Sequence, residues 1–482
     1  MLAGNKSEKE IPICVDLDET LISSDSLADS IFCAIKNNPL IIFLLPFWIL
    51  KGKFYFKKRI FSFYKINAET LPYREDVLEF LKFKKNEGRK IILITASLQE
   101  VADSVANHLG IFDEAYGTST EKNLKALNKS LFLIDKFGEF GFDYIGDSKA
   151  DLAIWEKARQ SVLVEPSSNV IKKAEKFNNI EKVFTSKKNY LKLIFQEIRV
   201  HQWLKNLLIF LPLLMAHKLD SIELIIKSVI AFFSFSFVAS FVYVLNDLLD
   251  IDSDRKHPRK KNRPIASGNL SIKTALIIIP ILFIFGMGSS LIFLSNEFTI
   301  VLLIYLLITT LYSFYLKKIY ILDIFILSIL YTTRLIAGAV AVDVIVSKWL
   351  LAFSVFLFLS LAILKRFTEL RVMQMENRSK TSGRGYNVDD LNLISILGPT
   401  SGYLSVVIFT LYIYSPEVLK LYSVPELLWP VAIFLLLWIT RIWFLANRNE
   451  MDDDPIVFAV KDKTSHLIFS IITVLIILAS IL

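Results

Sequence analysis

The sequence predicts a two-domain chain: an N-terminal α/β domain followed by an all-α multi-pass membrane domain of nine transmembrane helices. Three observations predict it. Of the 482 residues, 54% are hydrophobic, above the usual globular range. The excess is concentrated after about His201, in runs mostly long enough to cross a hydrocarbon core of about 30 Å as helices. Before that point, short apolar segments alternate with charged helical stretches, the pattern of a parallel α/β sheet.

The first domain is expected over 1–190. Met1–Glu10 is polar and lacks the apolar stretch of a secretory signal, which places the N-terminus in the cytosol. Ile11–Val15, Lys90–Thr95, Leu131–Ile134 and Phe142–Ile145 read as strands. Thr70–Glu87 and Gln99–Leu109 read as helices. Pro39–Leu50 is an apolar run of 12 residues, followed by Lys51, Lys53, Lys57, Lys58 and Arg59 among Phe and Tyr. It is too short for a comfortable span. Two readings stay open: an interfacial helix on an anionic leaflet, or a buried helix of a soluble cap. Residues 191–200 form a linker.

The membrane domain is expected over 201–482, with spans near 201–216, 221–245, 272–294, 297–316, 321–342, 349–364, 391–414, 427–446 and 465–482. The first is the shortest. With the N-terminus inside, the inner loops carry 17 Lys and Arg against 3 in the outer loops. This supports both the count and the orientation, with the sites on the cytoplasmic side. A bacterial inner membrane is the expected location. The inner-loop excess also accounts for much of the +8 net charge, so the basic balance implies no nucleic-acid partner. Disorder and low complexity are excluded by the apolar content. Two cysteines, Cys14 and Cys33, cannot build a disulfide framework.

Two constellations carry chemistry. Asp16-Leu17-Asp18-Glu19-Thr20 follows the first strand, where open α/β sheets bind ligands. One carboxylate can attack phosphorus while the other exchanges a proton with the leaving oxygen. A hard cation would let carboxylates and phosphate share the site. Ile91–Thr95 ends in a hydroxyl suited to a phosphoryl oxygen, Lys129 offers a neutralising cation, and Gly146-Asp147-Ser148-Lys149-Ala150-Asp151 adds two carboxylates. The order and spacing over about 10–165 resemble the haloacid dehalogenase (HAD) phosphatases, in their phosphoserine-phosphatase-like branch. The resemblance implies a Rossmannoid fold with a helical cap at about 25–70. It implies Asp16 as nucleophile, Asp18 as acid/base, Thr95 and Lys129 as phosphate partners, and Mg²⁺ held among Asp16, Asp18, Asp147 and Asp151. Ala126 stands where the family often has Gly, which leaves Lys125 as a rival to Lys129.

The second constellation ends the second span: Asn246, Asp247, Asp250 and Asp254, the three aspartates spaced to share one helix face. Clustered carboxylates at a bilayer edge are costly unless they hold cations, and Mg²⁺ bridging them to a diphosphate is the natural use. Lys256 and Arg263 supply counter-charge, Arg263 with bidentate geometry for phosphate. The pattern Asn-Asp-x-x-Asp-x-x-x-Asp with His-Pro and Arg-Pro-Ile resembles the UbiA superfamily of intramembrane prenyltransferases. A second acidic pair is common there, but here Asp323 is followed by Leu327. The stretches holding Lys205 and Asn206, Asp323 and Arg334, Lys365, Arg366 and Glu369, and Arg384 and Tyr386 resemble the decaprenyl-phosphate phosphoribosyltransferase branch, over about 199–470. That resemblance implies these residues, with Lys317, as substrate-binding groups, phosphoribosyl diphosphate as donor and a polyprenyl phosphate in the bilayer as acceptor. Lys317 also reads as an inner-face anchor, Tyr386 as an interfacial one, and Asp452–Asp454 as a solvated loop.

Three functions are therefore weighed. The first is a bifunctional enzyme: Mg²⁺-dependent phosphoribosyl transfer followed by removal of the 5-phosphate. The second moves a polyprenyl group from its diphosphate to an aromatic or other small acceptor. In the third, the HAD domain regulates or anchors without turnover. Oligomerisation is compatible with each.

Overall fold

The computed structural model describes residues 10–119, 124–186, 188–345, 347–376, 385–451 and 454–481. They form two compact units, Met1–Glu197 with Val244–Ile278, and Ile198–Tyr243 with Ile279–Leu482.

The first unit is built on six strands: β1 (Ile13–Val15), β2 (Ile91–Leu98), β3 (Glu114–Thr118), β4 (Asp143–Gly146), β5 (Ser161–Val164) and β6 (Ile180–Phe184). All pairings are parallel, in the order β3-β2-β1-β4-β5-β6. Both faces are covered, which is why β1 and β2 are apolar without alternation. Ile13, Val15 and Leu93 pack with Val77, Leu81 and Val105. Cys14, Ile92 and Tyr144 pack on the other side with Leu133 and Trp155. The order reverses at β1, so the carboxyl ends of β1 and β4 open a crevice side by side.

Helices α1 (Ser26–Asn37), α2 (Ile41–Leu50) and α3 (Lys53–Phe63) make the cap, around Ala34, Ile41, Trp48 and Ile60. Asp25 caps α1, accepting from the N–H groups of Leu27 and Ala28, both at 3.0 Å. Helix α4 spans Glu75–Asn86 and α5 spans Gln99–Leu109. The first starts later than the expected Thr70, since Pro72 disfavours helix in the residue before it. One expectation is corrected. Leu131–Ile134 is not a strand but the middle of helix α6 (Leu127–Phe137), with Leu133 buried and Leu131 exposed. Four consecutive apolar residues fit either structure, and the buried spacing Lys129, Ser130, Leu133 is helical. Strands β3, β5 and β6 were not legible among the charged residues around them.

A buried ion pair ties the sheet together. Arg89 reaches Asp143 Oδ2 at 2.6 Å and donates twice to the Ile11 carbonyl, with both side chains almost fully buried. Removing one partner strands the other charge, so Asp143→Ala is expected to destabilise this unit by about 3–5 kcal/mol. A lowered thermal midpoint for unfolding of this unit would show it; an unchanged midpoint would mean that Arg89 relaxes to water.

Among the described residues, eight helices are long and apolar enough to cross a membrane: Ile222–Leu249, Ile272–Phe293, Asn296–Phe314, Leu322–Ala341, Lys348–Met375, Val388–Ile413, Pro425–Asn447 and Lys463–Ile481. Their outward residues are apolar, as Ile277, Ile284, Leu291 and Ile292 show on the second. The segment expected at 201–216 is the shorter Val200–Met215, a 3₁₀ run to Phe210 continued as one α-helical stretch. It packs closely on Leu322–Ala341. A Cβ on Gly338 would lie 2.1 Å from the Ile209 carbonyl oxygen, so only glycine fits there.

Candidate active sites

The first site forms where β1 and β4 end. The Asp16 N–H donates to the Ile145 carbonyl, which pins the residue between the two strands. One Asp16 oxygen accepts from the Leu17 N–H at 2.7 Å, and the other meets Lys129 Nζ at 2.7 Å. Of the two rival lysines, Lys129 is thus the one on Asp16, while Lys125 is exposed. Lys129 also donates to the Tyr144 hydroxyl, which donates to Asp151 Oδ1 at 3.0 Å. Ala126, just before α6, has φ +47°, where glycine would be unstrained.

Carboxylate oxygens of Asp16, Asp147 and Asp151 lie within 4.8 Å of one another. Thr20 donates to Asp147 at 3.2 Å, and Asp151 accepts from the N–H groups of Asp147 and Ser148. Burial, then the charges of Asp151 and Asp16, push the Asp147 carboxyl up to about 8. Three hard oxygen donors in mutual repulsion are a fit for a dication, which relieves that repulsion.

Asp18 stands apart from this cluster. Its oxygens accept from the Ser26 N–H at 2.7 Å and the Ser97 hydroxyl at 2.9 Å. Burial, then the charge of Asp25, push its carboxyl up to about 7. A carboxyl so placed can hold a proton near neutrality, which suits acid/base work rather than metal ligation. Thr95 is fully buried, and its Oγ1 accepts from the Ser97 N–H. Sequence reasoning missed Ser26 and Ser97, which orient Asp18, and Lys57 of α3. Lys57 donates to the Ala96 carbonyl at 2.6 Å, between Thr95 and Ser97.

The same unit includes the end of Ile222–Leu249, from Val244; this helix breaks at Asp250 and resumes as Ile251–Lys256. The three aspartates do not converge on one point. Asp247 Oδ1 and Asp254 Oδ2 are both held by Arg263 Nη1, at 2.9 and 2.5 Å. Asp250 instead pairs with Lys36 of α1 at 2.8 Å. Asn246 is half-buried beside Asp247, and Lys256 is exposed on Asp252. Burial, then Asp247, raise the Asp254 carboxyl above its ordinary value. The donors suit Mg²⁺ chemically, with Arg263 between them in this structure. Arg255 pairs with the buried Asp29 at 2.7 Å and donates to the Ala266 carbonyl.

The second unit holds a basic group. Lys205 Nζ and Lys365 Nζ lie 2.5 and 3.4 Å from Asp454 Oδ2. Burial raises the Asp454 carboxyl, but the two lysines outweigh it and hold it well below the usual range. For Asp454 this corrects the reading as a solvated loop, because a half-buried carboxylate between two ammonium groups is a fixed part of the structure; Asp452 and Asp453 lie outside the described residues. Arg334 donates to Asn206 Oδ1 at 2.8 Å and to the Tyr305 hydroxyl, and stacks near Phe235 and Tyr331. Asp323 is fully buried, pairing with Arg366 Nε at 2.8 Å and accepting from the Tyr386 hydroxyl at 3.2 Å. Arg366 also holds Glu369. Tyr386 therefore lies in a buried network. Lys317 is half-buried, and Arg384 lies outside the described residues. Next to Lys205 is an apolar cavity of about 430 Å³, lined by Leu208, Leu335, Phe353, Leu357, Trp438 and Phe469 among others.

Comparison with known proteins follows this division. Residues 13–155 match the haloacid dehalogenase-like hydrolases, and residues 207–471 match the UbiA prenyltransferase family. The chain is 36% identical over 468 residues to the uncharacterized protein y4nM of Sinorhizobium fredii, covering 96% of this chain and 90% of that one. It is 34% identical over 267 residues to the nodulation protein NoeC of Azorhizobium caulinodans, covering 55% of this chain and 86% of that one. It is 32% identical over 235 residues to the decaprenyl-phosphate phosphoribosyltransferase of Mycolicibacterium smegmatis, covering 48% of this chain and 73% of that one. The y4nM match runs through both domains, so the fusion is shared. The chain is an integral membrane protein that belongs to the UbiA prenyltransferase family, carrying a haloacid dehalogenase-like hydrolase domain at its N-terminal end.

Proposed function

We propose that the chain is a bifunctional enzyme of a bacterial inner membrane, with a phosphatase over 1–190 and a transferase over 201–482, joined by 191–200. Its N-terminus and sites face the cytosol, in keeping with the 17-to-3 excess of inner-loop Lys and Arg. The transferase moves 5-phosphoribose from phosphoribosyl diphosphate to a polyprenyl phosphate. A lipid phosphate oxygen attacks the anomeric carbon, and the bond to the diphosphate breaks, with the electron pair leaving on the diphosphate. Arg263 and Lys256 hold the leaving group, placing fixed positive charge where negative charge develops. Lys205 and Lys365 serve as substrate-binding cations. Asp247 and Asp254, the two carboxylates this structure brings together, would hold magnesium, which would offset the charge of the diphosphate. The apolar cavity beside Lys205 suits the polyprenyl chain.

The observation that carries the choice of donor is Asp323. It is closed off by Arg366 and Tyr386, and Leu327 takes the place of a second carboxylate. It serves to position Arg366. This departs from a site for a prenyl diphosphate, and agrees with the similarity to the decaprenyl-phosphate phosphoribosyltransferase of M. smegmatis.

The phosphatase then removes the 5-phosphate of the lipid-linked product. Asp16 attacks phosphorus, and the sugar oxygen leaves with the proton of Asp18. Water, deprotonated by Asp18, next releases phosphate from Asp16. Lys129 and Thr95 bind the phosphoryl oxygens. Magnesium, when bound on Asp16, Asp147 and Asp151, would offset the charge of the phosphoryl group. The test supplies purified protein in polyprenyl-phosphate vesicles with ribose-labelled donor. Label is expected to pass into the lipid phase with magnesium and to stay in water with a chelator. Label transfer that ignores the chelator would contradict the metal assignment, and none under either condition would contradict the reading.

A further inference from the structure

Helix α2 has the wrong outer surface for a helix in water. Its inward positions are Ile41, Leu45 and Trp48, spaced i, i+4, i+7, and they close the cap core against Ala34 and Ile60. A soluble helix would then turn polar residues outward. Here the outward residues are Ile42, Phe43, Leu44, Phe47, Ile49 and Leu50, with Phe43 70% and Leu50 84% exposed. The run is therefore a cap helix with one buried face and one exposed apolar face, not a wholly buried helix. A contiguous apolar face of this kind marks an interaction surface.

The surrounding charge selects the partner. No Asp or Glu occurs between Asp29 and Glu69, whereas that stretch carries seven Lys and Arg. Lys51, Lys53, Lys58 and Arg59 are exposed at the end of α2 and along α3. Aromatic side chains stand among them. Arg59 lies 5.9 Å from the Trp48 ring, Lys51 lies 5.4 Å from the Tyr55 ring, and Phe63 stacks on Trp48. Apolar residues bordered by cations and aromatics are what an anionic headgroup layer accommodates, with side chains in the acyl boundary and basic groups at the phosphates. The same chain spans a membrane, so a bilayer is within its reach.

We propose that α2 and the basic edge of α3 dock the cap onto an anionic lipid bilayer. The surface is an anchor separate from the spans. It is distinct from the phosphatase residues and does not depend on the substrate assigned to them.

The experiment uses the full chain in nanodiscs, either phosphatidylcholine with phosphatidylglycerol or phosphatidylcholine alone. An environment-sensitive fluorophore is attached at Phe47→Cys and, as a control, at Lys172→Cys on an exposed helix position; the native Cys14 and Cys33 are buried. In anionic discs the label at 47 is expected to shift blue. Nitroxide-bearing lipids are expected to quench it several-fold more than iodide in the water, with the reverse at 172. Reversing Lys51, Lys53 and Lys58 to Glu should cut the lipid quenching at 47. Iodide quenching at 47 in both discs would overturn the proposal. Equal lipid quenching in both lipid mixtures would overturn the anionic assignment. Quenching that needs a second labelled chain in the same disc would assign the face to another copy of this protein.

Discussion

Asp16→Asn is expected to abolish phosphate release while leaving the transferase reaction intact. Asp16 is the carboxylate that meets Lys129 at 2.7 Å and shares the oxygen cluster with Asp147 and Asp151. An amide of the same shape cannot attack phosphorus, and removing a nucleophile that acts within a concerted set costs at least about 10³-fold. Hydrolysis of p-nitrophenyl phosphate by the full chain reads this directly. Residual turnover near wild type would remove Asp16 from the nucleophile role, and an equal fall in label transfer to lipid would show that the substitution disturbs more than one site.

Arg263→Ala is expected to have the converse effect. Arg263 is the cation shared by Asp247 and Asp254, whose side chains are almost fully buried. In the proposed reaction its loss removes the charge that holds the departing diphosphate, worth about 10²–10³ in turnover for one preorganised group. Transfer of labelled phosphoribose should fall by that factor, and Arg263→Lys should restore part of it. Hydrolysis of p-nitrophenyl phosphate should stay unchanged. Were both activities to fall together, Arg263 would be holding the fold rather than the reaction, a role its contacts with two buried carboxylates would also permit.

Much of this was legible because the informative residues lie in rigid local patterns. Asp16 and Asp147 each follow an apolar run, and such runs became adjacent parallel strands. The span pattern was legible because hydrocarbon imposes length and apolarity directly. What escaped depended on partners distant in sequence. Asp454 sits in an acidic run that reads as solvated, and only folding brings Lys205 and Lys365 to it. The three aspartates at 247, 250 and 254 share a spacing but not a destination, since Lys36 draws one of them to the cap. The Leu131–Ile134 run satisfied a strand pattern and a helix pattern equally, and only packing chose between them. For Pro39–Leu50 the sequence left two environments open, which differ in exposure alone.

The central claim is that one chain both builds and dephosphorylates a lipid-linked ribose. Its most direct test is mass spectrometry of the lipids formed by the purified full chain from polyprenyl phosphate and phosphoribosyl diphosphate with magnesium. Wild type is expected to yield a polyprenyl-phosphoryl-ribose without the 5-phosphate, and Asp16→Asn the same lipid with the phosphate retained. A wild type that makes no lipid-linked pentose, yet prenylates 4-hydroxybenzoate when given a polyprenyl diphosphate, would contradict it.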